Sequence, residues 1–225
     1  MEQLDSNIFN FAYEMALRDA TLQGAYKGTD KKKLRENSGA KAIVEEYIKA
    51  IFDGKQPCFY KTEAEVEESF IAFIDDNKLT IDKEGTPAVF TFGNAQKLIN
   101  MTAKYMYIAA YQNDDLREKF NCCHCPMDSV MVETVIREIG SEKRSVQKSG
   151  EQIENMTKRR NGITWRQYLR QSWSKISSSD REQYDLFQEM ITFLSEKEQI
   201  SPIEFDFNYW APSGERNASV SLETE

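Results

Sequence analysis

Apolar residues recur at helical spacing along most of this chain, and this period constrains the fold more than any other feature. The most regular stripe lies within residues 94–111, and its members are Leu98, Met101, Tyr105, Ile108 and Ala109. Comparable stripes predict helices over 8–17, 43–52, 62–74, 128–139, 165–176 and 179–196. No rhythm of alternating strands and helices is visible. The sequence therefore predicts a mostly α fold, a single compact multi-helix domain with at most a minor extended or small β element.

Helix-start and helix-stop residues divide the chain further. Asp5 or Ser6 is expected to cap the first helix, and Gly54 and Gly140 are expected to end two others. Residues 203–207 alternate in polarity, which predicts an extended segment with Glu204 and Asp206 on one face. We expect a helical domain over 1–210, a mobile basic loop at about 141–162, and a disordered tail over 211–225.

Charge and hydropathy exclude several classes of protein. The chain carries 12% aromatic residues, too many for a disordered protein, and its formal net charge of −8 argues against coating duplex DNA through overall charge. The charge is uneven, because 63–76 and the end of the chain are acidic while 143–170 is basic. No stretch approaches the roughly 18 apolar residues of a membrane span. We expect no membrane association and, with no secretory signal at the start, a cytoplasmic location.

One constellation indicates chemistry. Gly93 precedes Lys97, which opens the most regular helix, and Pro126 and Asp128 open the next one. This arrangement resembles the helix-hairpin-helix DNA glycosylase superfamily, most closely its archaeal 8-oxoguanine glycosylase branch, over about residues 90–139. The resemblance implies N-glycosylase and AP-lyase chemistry, with Lys97 as the attacking amine and Asp128 as the carboxylate that stabilises the sugar cation. The alternative is that Asp128 is an ordinary N-cap and Lys97 a surface lysine.

Other residues are candidates for binding the ligand. Those expected to contact a base or nucleotide are Gly93, Gln96, Lys104, Tyr105 and Trp173. Those expected to bind phosphate are Lys158, Arg159, Arg160 and Arg166. Lys104 lies two helical turns after Lys97, so it either favours the neutral amine of Lys97 or is solvated. Trp165 and Trp173 are also good core residues, and the cations of the basic loop also fit a solvated surface.

The only histidine lies within a cysteine cluster made of Cys122, Cys123, His124 and Cys125. Cys122 and Cys125 have the spacing of a zinc-binding pair, but neighbouring side chains diverge and two further ligands are needed. Cys58 is a third sulfur only if the fold brings it near. We expect no metal and no cofactor, and we interpret the cluster as small reduced thiols.

Three functions remain open at this point. The first is a glycosylase-like protein that recognises a nucleobase, a nucleotide or DNA through a local contact. The second is a catalytically inactive nucleotide-binding module, such as a sensor or sequestering protein in bacterial defence or phage counter-defence. The third is a helical protein-interaction factor. The sequence does not define an oligomeric state.

Overall fold

The computed structural model consists of α-helices joined by turns. It describes residues 5–22, 39–55, 62–63, 65, 91–145 and 150–210. The helices in these ranges are α1 (Ser6–Leu22), α2 (Gly39–Phe52), α3 (Phe92–Ala109), α4 (Asp114–Glu118), α5 (Ser129–Ser145), α6 (Glu151–Met156), α7 (Trp165–Leu169), α8 (Glu182–Glu198) and α9 (Pro202–Tyr209). Two 3₁₀ helices cover Lys119–Cys122 and Trp173–Lys175. Within these ranges, β-type backbone pairing is limited to two isolated β-bridges. The prediction of a mostly α fold is confirmed.

Helix α3 lies at the centre of the core. Every residue from Phe92 to Lys104 is buried, so this segment is enclosed on all sides rather than along one stripe. Thr91 caps the helix by accepting a hydrogen bond from the amide of Asn94 (3.2 Å). Helix α1 lies along α3, and the Trp173–Lys175 turn packs against its beginning. A central helix of this kind places its polar side chains inside the protein, where each needs a partner.

Two of the expected helix boundaries are confirmed. Asp5 Oδ1 accepts a hydrogen bond from the amide of Asn7 (2.7 Å), so Asp5 caps α1. Gly54 follows α2 with a φ of +72°, the left-handed conformation that glycine adopts without steric cost.

The predicted extended segment at 203–207 is wrong, because these residues belong to helix α9. Ser201 accepts the amide of Glu204 at 3.3 Å, and Pro202 occupies the first turn. A serine cap followed by proline is a strong helix start, and here it outweighs the alternating pattern. As a consequence, Asp206 is buried while its neighbour Phe207 is exposed.

The prediction of a loop over 141–162 is wrong at two places. Helix α5 passes through Gly140 and continues to Ser145, and 151–156 form helix α6 with Ile153 and Met156 buried. Gly140 serves packing instead of ending a helix, since a Cβ there would lie 2.8 Å from Arg166 Nη2. Residues 146–149 and 211–225, most of the helix predicted over 62–74, and Cys58 lie outside the described residues.

The helices predicted over 165–176 and 179–196 have different limits. Helix α7 ends at Leu169, where Gln183 donates to the carbonyls of Leu169 (3.0 Å) and Gln171 (2.9 Å). These bonds satisfy carbonyl groups that a continuing helix would otherwise use. Among the helices that the structure describes, none has the length and apolarity required to cross a membrane.

Candidate functional site

Lys97 and Asp128 form a buried ion pair. Lys97 Nζ lies 2.7 Å from Asp128 Oδ2, and the two side chains are 1% and 2% exposed. Asp128 also caps α5, because its Oδ1 accepts the amide of Met131 at 2.9 Å. The two sequence-based roles of Asp128, N-cap and partner of Lys97, are therefore both present. The surface-lysine alternative for Lys97 is wrong.

Two glutamines hold the chain that leads into Asp128. The side chain of Gln96 donates a hydrogen bond to the carbonyl of Met127 and accepts one from the amide of Met127, both at 3.1 Å. Gln188 on α8 donates to the carbonyl of Cys125 at 2.7 Å. Gln96, expected to contact a ligand, is thus bonded to backbone. These bonds fix the backbone just before Asp128 at the start of α5. They therefore help to hold its carboxylate within reach of Lys97.

A second buried ion pair lies further along α3. Lys104 Nζ is 2.6 Å from Asp206 Oδ2 on α9, and the indole ring of Trp210 lies over the same amine at 5.0 Å. Both side chains are buried, so the solvated alternative for Lys104 is wrong. Because residues 203–207 were predicted to be extended, the sequence did not indicate that Asp206 would pair with Lys104. The serine and proline at the start of α9 were the pattern that could have revealed it.

The two pairs interact electrostatically. Burial opposes ionisation of Asp128, yet the Lys97 ammonium beside it holds the pKa of Asp128 below its ordinary value. Burial raises the pKa of Asp206, a shift that Lys104 opposes. Burial also raises the pKa of the Cys125 thiol, and both carboxylates add to that rise. Two lysines and two aspartates therefore form a charge-balanced group in the core, which is the condition under which buried charges are tolerated.

A polar network adjoins this group. Tyr184 donates to Glu63 Oε1 at 3.0 Å, and its hydroxyl lies 3.0 Å from both Asn100 Nδ2 and His124 Nδ1. Burial raises the pKa of Glu63 and lowers the pKa of His124 to about 4. Asn100 bonds in turn to Gln96 at 3.1 Å. The network thus links residues near the cysteine cluster to the side chain that positions Asp128.

A surface cavity of about 240 Å³ opens beside the beginning of α5. Ser129, Glu133, Arg170 and Trp173 contribute to its lining, whereas Lys97 and Asp128 do not. Trp173 is half-buried, and its carbonyl packs against Gly93. A Cβ at position 93 would overlap that carbonyl oxygen, so the position requires glycine.

The remaining predicted contacts are distributed over the surface. Tyr105 donates to Asp19, away from the Lys97 pair. Lys158 and Arg159 are exposed, Arg160 donates to the carbonyl of Met156 at 3.0 Å, and Arg166 lies 5.0 Å from the ring of Trp165. Within the described residues, no contact joins these four cations to Lys97 or Asp128. Trp165 is a buried core residue, as the alternative proposed.

The sequence placed Arg170 only within the basic, aromatic-flanked segment that could bind phosphate, and the structure brings it to the rim of this cavity. Its guanidinium binds both carboxylate oxygens of Glu133, at 2.6 and 2.7 Å, on the rim of the cavity. Its position five residues after Trp165 carries no motif. Arg170 directly follows α7, and its bonds to Glu133 of α5 hold it at the cavity.

The cysteines in the described ranges are free thiols. Cys122 is exposed, while Cys123 and Cys125 are buried. The Tyr47 hydroxyl lies 3.9 Å from Cys123 Sγ. In the part of the chain that the structure describes, no three histidine, cysteine or acidic side chains are grouped closely enough to hold a metal ion.

No protein-family model, curated protein or solved structure matches this chain. Function is therefore inferred from the arrangement of its own residues.

Proposed function

We propose that this protein recognises a nucleobase and acts as a lysine-dependent N-glycosylase and AP lyase, with Lys97 as the amine and Asp128 as the carboxylate. The observation that supports it is the 2.7 Å contact between Lys97 Nζ on α3 and Oδ2 of Asp128, the residue that caps α5. Nucleophilic catalysis by an amine requires a base within hydrogen-bond reach, and this pair meets that requirement.

The chemistry proceeds through a covalent intermediate. A lysine amine must give up a proton before it attacks, and Asp128 Oδ2 is the acceptor in contact with Lys97. In the resting pair the Lys97 ammonium holds the pKa of Asp128 below its ordinary value, so this transfer is opposed until the substrate separates the two side chains. The amine lone pair forms a bond to the sugar C1′, the bond from C1′ to the base breaks, and the base leaves with that electron pair and the proton that Asp128 took from Lys97. A second proton then passes from the bonded nitrogen through Asp128 to O4′ as the C1′–O4′ bond breaks, which leaves a protonated Schiff base on Lys97.

Substrate reaches Lys97 only when the neighbouring elements separate locally, because the side chain is 1% exposed. The cavity beside the beginning of α5 includes Ser129, the residue after Asp128, and at about 240 Å³ it is smaller than most small-molecule sites, which run to roughly 300–1,000 Å³. A single flipped base is a ligand of suitable size for such a space.

Borohydride trapping tests this proposal directly. Duplex DNA that carries an abasic site or 8-oxoguanine is incubated with the protein and borohydride, and the adduct is located by peptide mass spectrometry. We expect an adduct on Lys97 that Lys97→Met abolishes. Lys104→Met is the matched control, since it removes an equally buried amine from the same helix. Absence of any adduct, or an adduct on another lysine, contradicts the proposal.

A second candidate is an inactive nucleotide-binding module, and the near-complete burial of Lys97 in an ion pair favours it. Under this alternative the pair is structural and nucleotide binds elsewhere on the surface. Nucleotides then raise the melting temperature while DNA gives no trapped adduct. If the adduct forms on Lys97, this candidate is excluded.

A further inference from the structure

The surface cavity adjoins both helices of the Lys97–Asp128 pair. Ser129, which follows Asp128 directly, lies on one side of the cavity. Trp173 lies on the other, and its backbone packs on Gly93, one turn before Lys97. The lining of this cavity therefore includes the first turn of α5, and through Trp173 it contacts the first turn of α3.

The side chains that line the cavity are of the kinds that bind a flat ring with a polar edge. Trp173 provides a half-buried aromatic surface, and Val132 and Leu169 provide apolar wall. Ser129, Gln171 and Ser172 add hydroxyl and amide groups able to donate and accept hydrogen bonds. Nucleobases are bound in this way, by stacking on an aromatic side chain and by hydrogen bonds to their edge.

Arg170 provides an exchangeable anion-binding group at the rim. Its two bonds to Glu133 measure 2.6 and 2.7 Å, and the two side chains are 49% and 54% exposed. Exposed ion pairs contribute little to stability, so the guanidinium is readily transferred to another anion. A phosphate matches the planar fork of arginine as well as a carboxylate does.

We infer that this cavity binds one nucleotide unit, with its base against Trp173 and its phosphate on Arg170 in place of Glu133. The inference rests on the proposed function and specifies its substrate class, a base that carries an adjacent phosphate. A DNA strand and a free nucleotide share this chemistry. It also gives the exposed Arg170 a function that the Lys97 and Asp128 reaction does not include.

Fluorescence anisotropy with a labelled single-stranded oligodeoxynucleotide tests the inference on the whole chain. Arg170→Gln is expected to weaken binding about tenfold, the effect of losing one charge-assisted contact. Glu133→Gln is expected to strengthen binding, since it removes the competing carboxylate. Arg137→Gln is the matched control, because Arg137 is an exposed arginine that pairs with Glu138 at 2.6 Å. We expect this control to leave binding unchanged.

The outcomes distinguish a DNA strand from a free nucleotide as the ligand. They also distinguish failure of the proposed function from failure of the nucleotide-site inference. Displacement of the oligonucleotide by a deoxynucleoside monophosphate, but not by the nucleoside, indicates a free nucleotide as ligand, and failure of both to displace it indicates a strand. Equal losses for Arg170→Gln and Arg137→Gln, or no loss in Arg170→Gln, overturn the inference. Arg170-dependent binding without a Lys97 adduct overturns the proposed function alone. A Lys97 adduct with Arg170-independent binding overturns this inference alone.

Discussion

Lys104 Nζ lies 2.6 Å from Asp206 Oδ2, so the last described helix, α9, carries the counter-charge for a buried lysine of the central helix α3. Within the described residues, Asp206 Oδ1 has no hydrogen-bond partner. Lys104 is the cation in contact with this carboxylate, and Lys97 adds a weaker favourable interaction. This contact ties α9 to the core more specifically than its apolar residues do, because a buried charge tolerates few alternative positions.

Removing one member of this pair is expected to destabilise the protein strongly. Asp206→Asn leaves the Lys104 ammonium buried without a counter-charge, and breaking such a pair costs about 3–5 kcal/mol. Urea unfolding measures the loss. Glu204→Gln on the same helix is the control, with little expected change because Glu204 is only half-buried. The double variant Lys104→Met with Asp206→Leu is expected to recover most of the loss, and failure to recover it contradicts the ion-pair account.

Acid is expected to weaken the fold through Asp128. Its pKa in the folded protein is below the ordinary value of 3.8, so the folded state binds fewer protons than the unfolded state as the pH falls. The stability contributed by Asp128 is therefore complete above that ordinary value and is lost as the pH falls through the folded pKa. Asp128→Asn should be less stable than wild type at neutral pH, and the difference should shrink in acid. A difference that is constant with pH contradicts this assignment.

Gly93→Ala is expected to destabilise the beginning of α3. The added methyl group would overlap the carbonyl oxygen of Trp173, which is backbone and cannot rotate away, and overpacking of this kind costs about 1–3 kcal/mol or more. Gly150→Ala is the matched control, since nothing lies within 4 Å of a Cβ there. Melting temperatures compare the two variants. Equal, small shifts would show that the Trp173 turn gives way easily.

His124 is expected to remain neutral at pH values well below the ordinary pKa of a histidine side chain. Burial lowers its pKa to about 4, whereas an unfolded histidine titrates near 6.5. The unfolded state therefore binds the proton first, and stability is lost as the pH falls from about 6.5 to about 4. Because the chain has one histidine, NMR titration of the imidazole reports on this residue alone. Titration near 6.5 in the folded protein contradicts the expectation, and the urea-unfolded chain supplies the reference.

Cys122 is expected to be the reactive thiol of its cluster. A hydrogen bond from Cys123 lowers the pKa of Cys122 to about 7, while the pKa of the buried Cys123 rises. At neutral pH a large fraction of Cys122 is thiolate, which is the nucleophilic form. Brief alkylation with iodoacetamide, mapped by mass spectrometry, should label Cys122 well ahead of Cys123 and Cys125. Equal labelling of the three in the folded protein contradicts this order.

Local sequence patterns were sufficient for much of the fold. The apolar stripe over 94–111 corresponds to α3, although Ile108 and Ala109, expected to be buried, are exposed. The start of α1 at Asp5 and the turn at Gly54 follow from capping and backbone conformation. Local patterns misled where they competed. At 203–207 an alternating pattern accompanied a serine–proline helix start, and the helix start prevailed. At Gly140 a residue that often ends helices instead made room for Arg166.

By itself the sequence determined that this chain is mostly helical, because helical period and caps are local properties, while the pairing of Lys97 with Asp128 was an expectation from the resemblance over residues 90–139. Tertiary structure decided that the pair is buried, that Lys104 is matched with Asp206, and that Gln96 holds the backbone before Asp128. These contacts join residues far apart in the chain, and the low polarity of the core is what requires each buried charge to meet its partner.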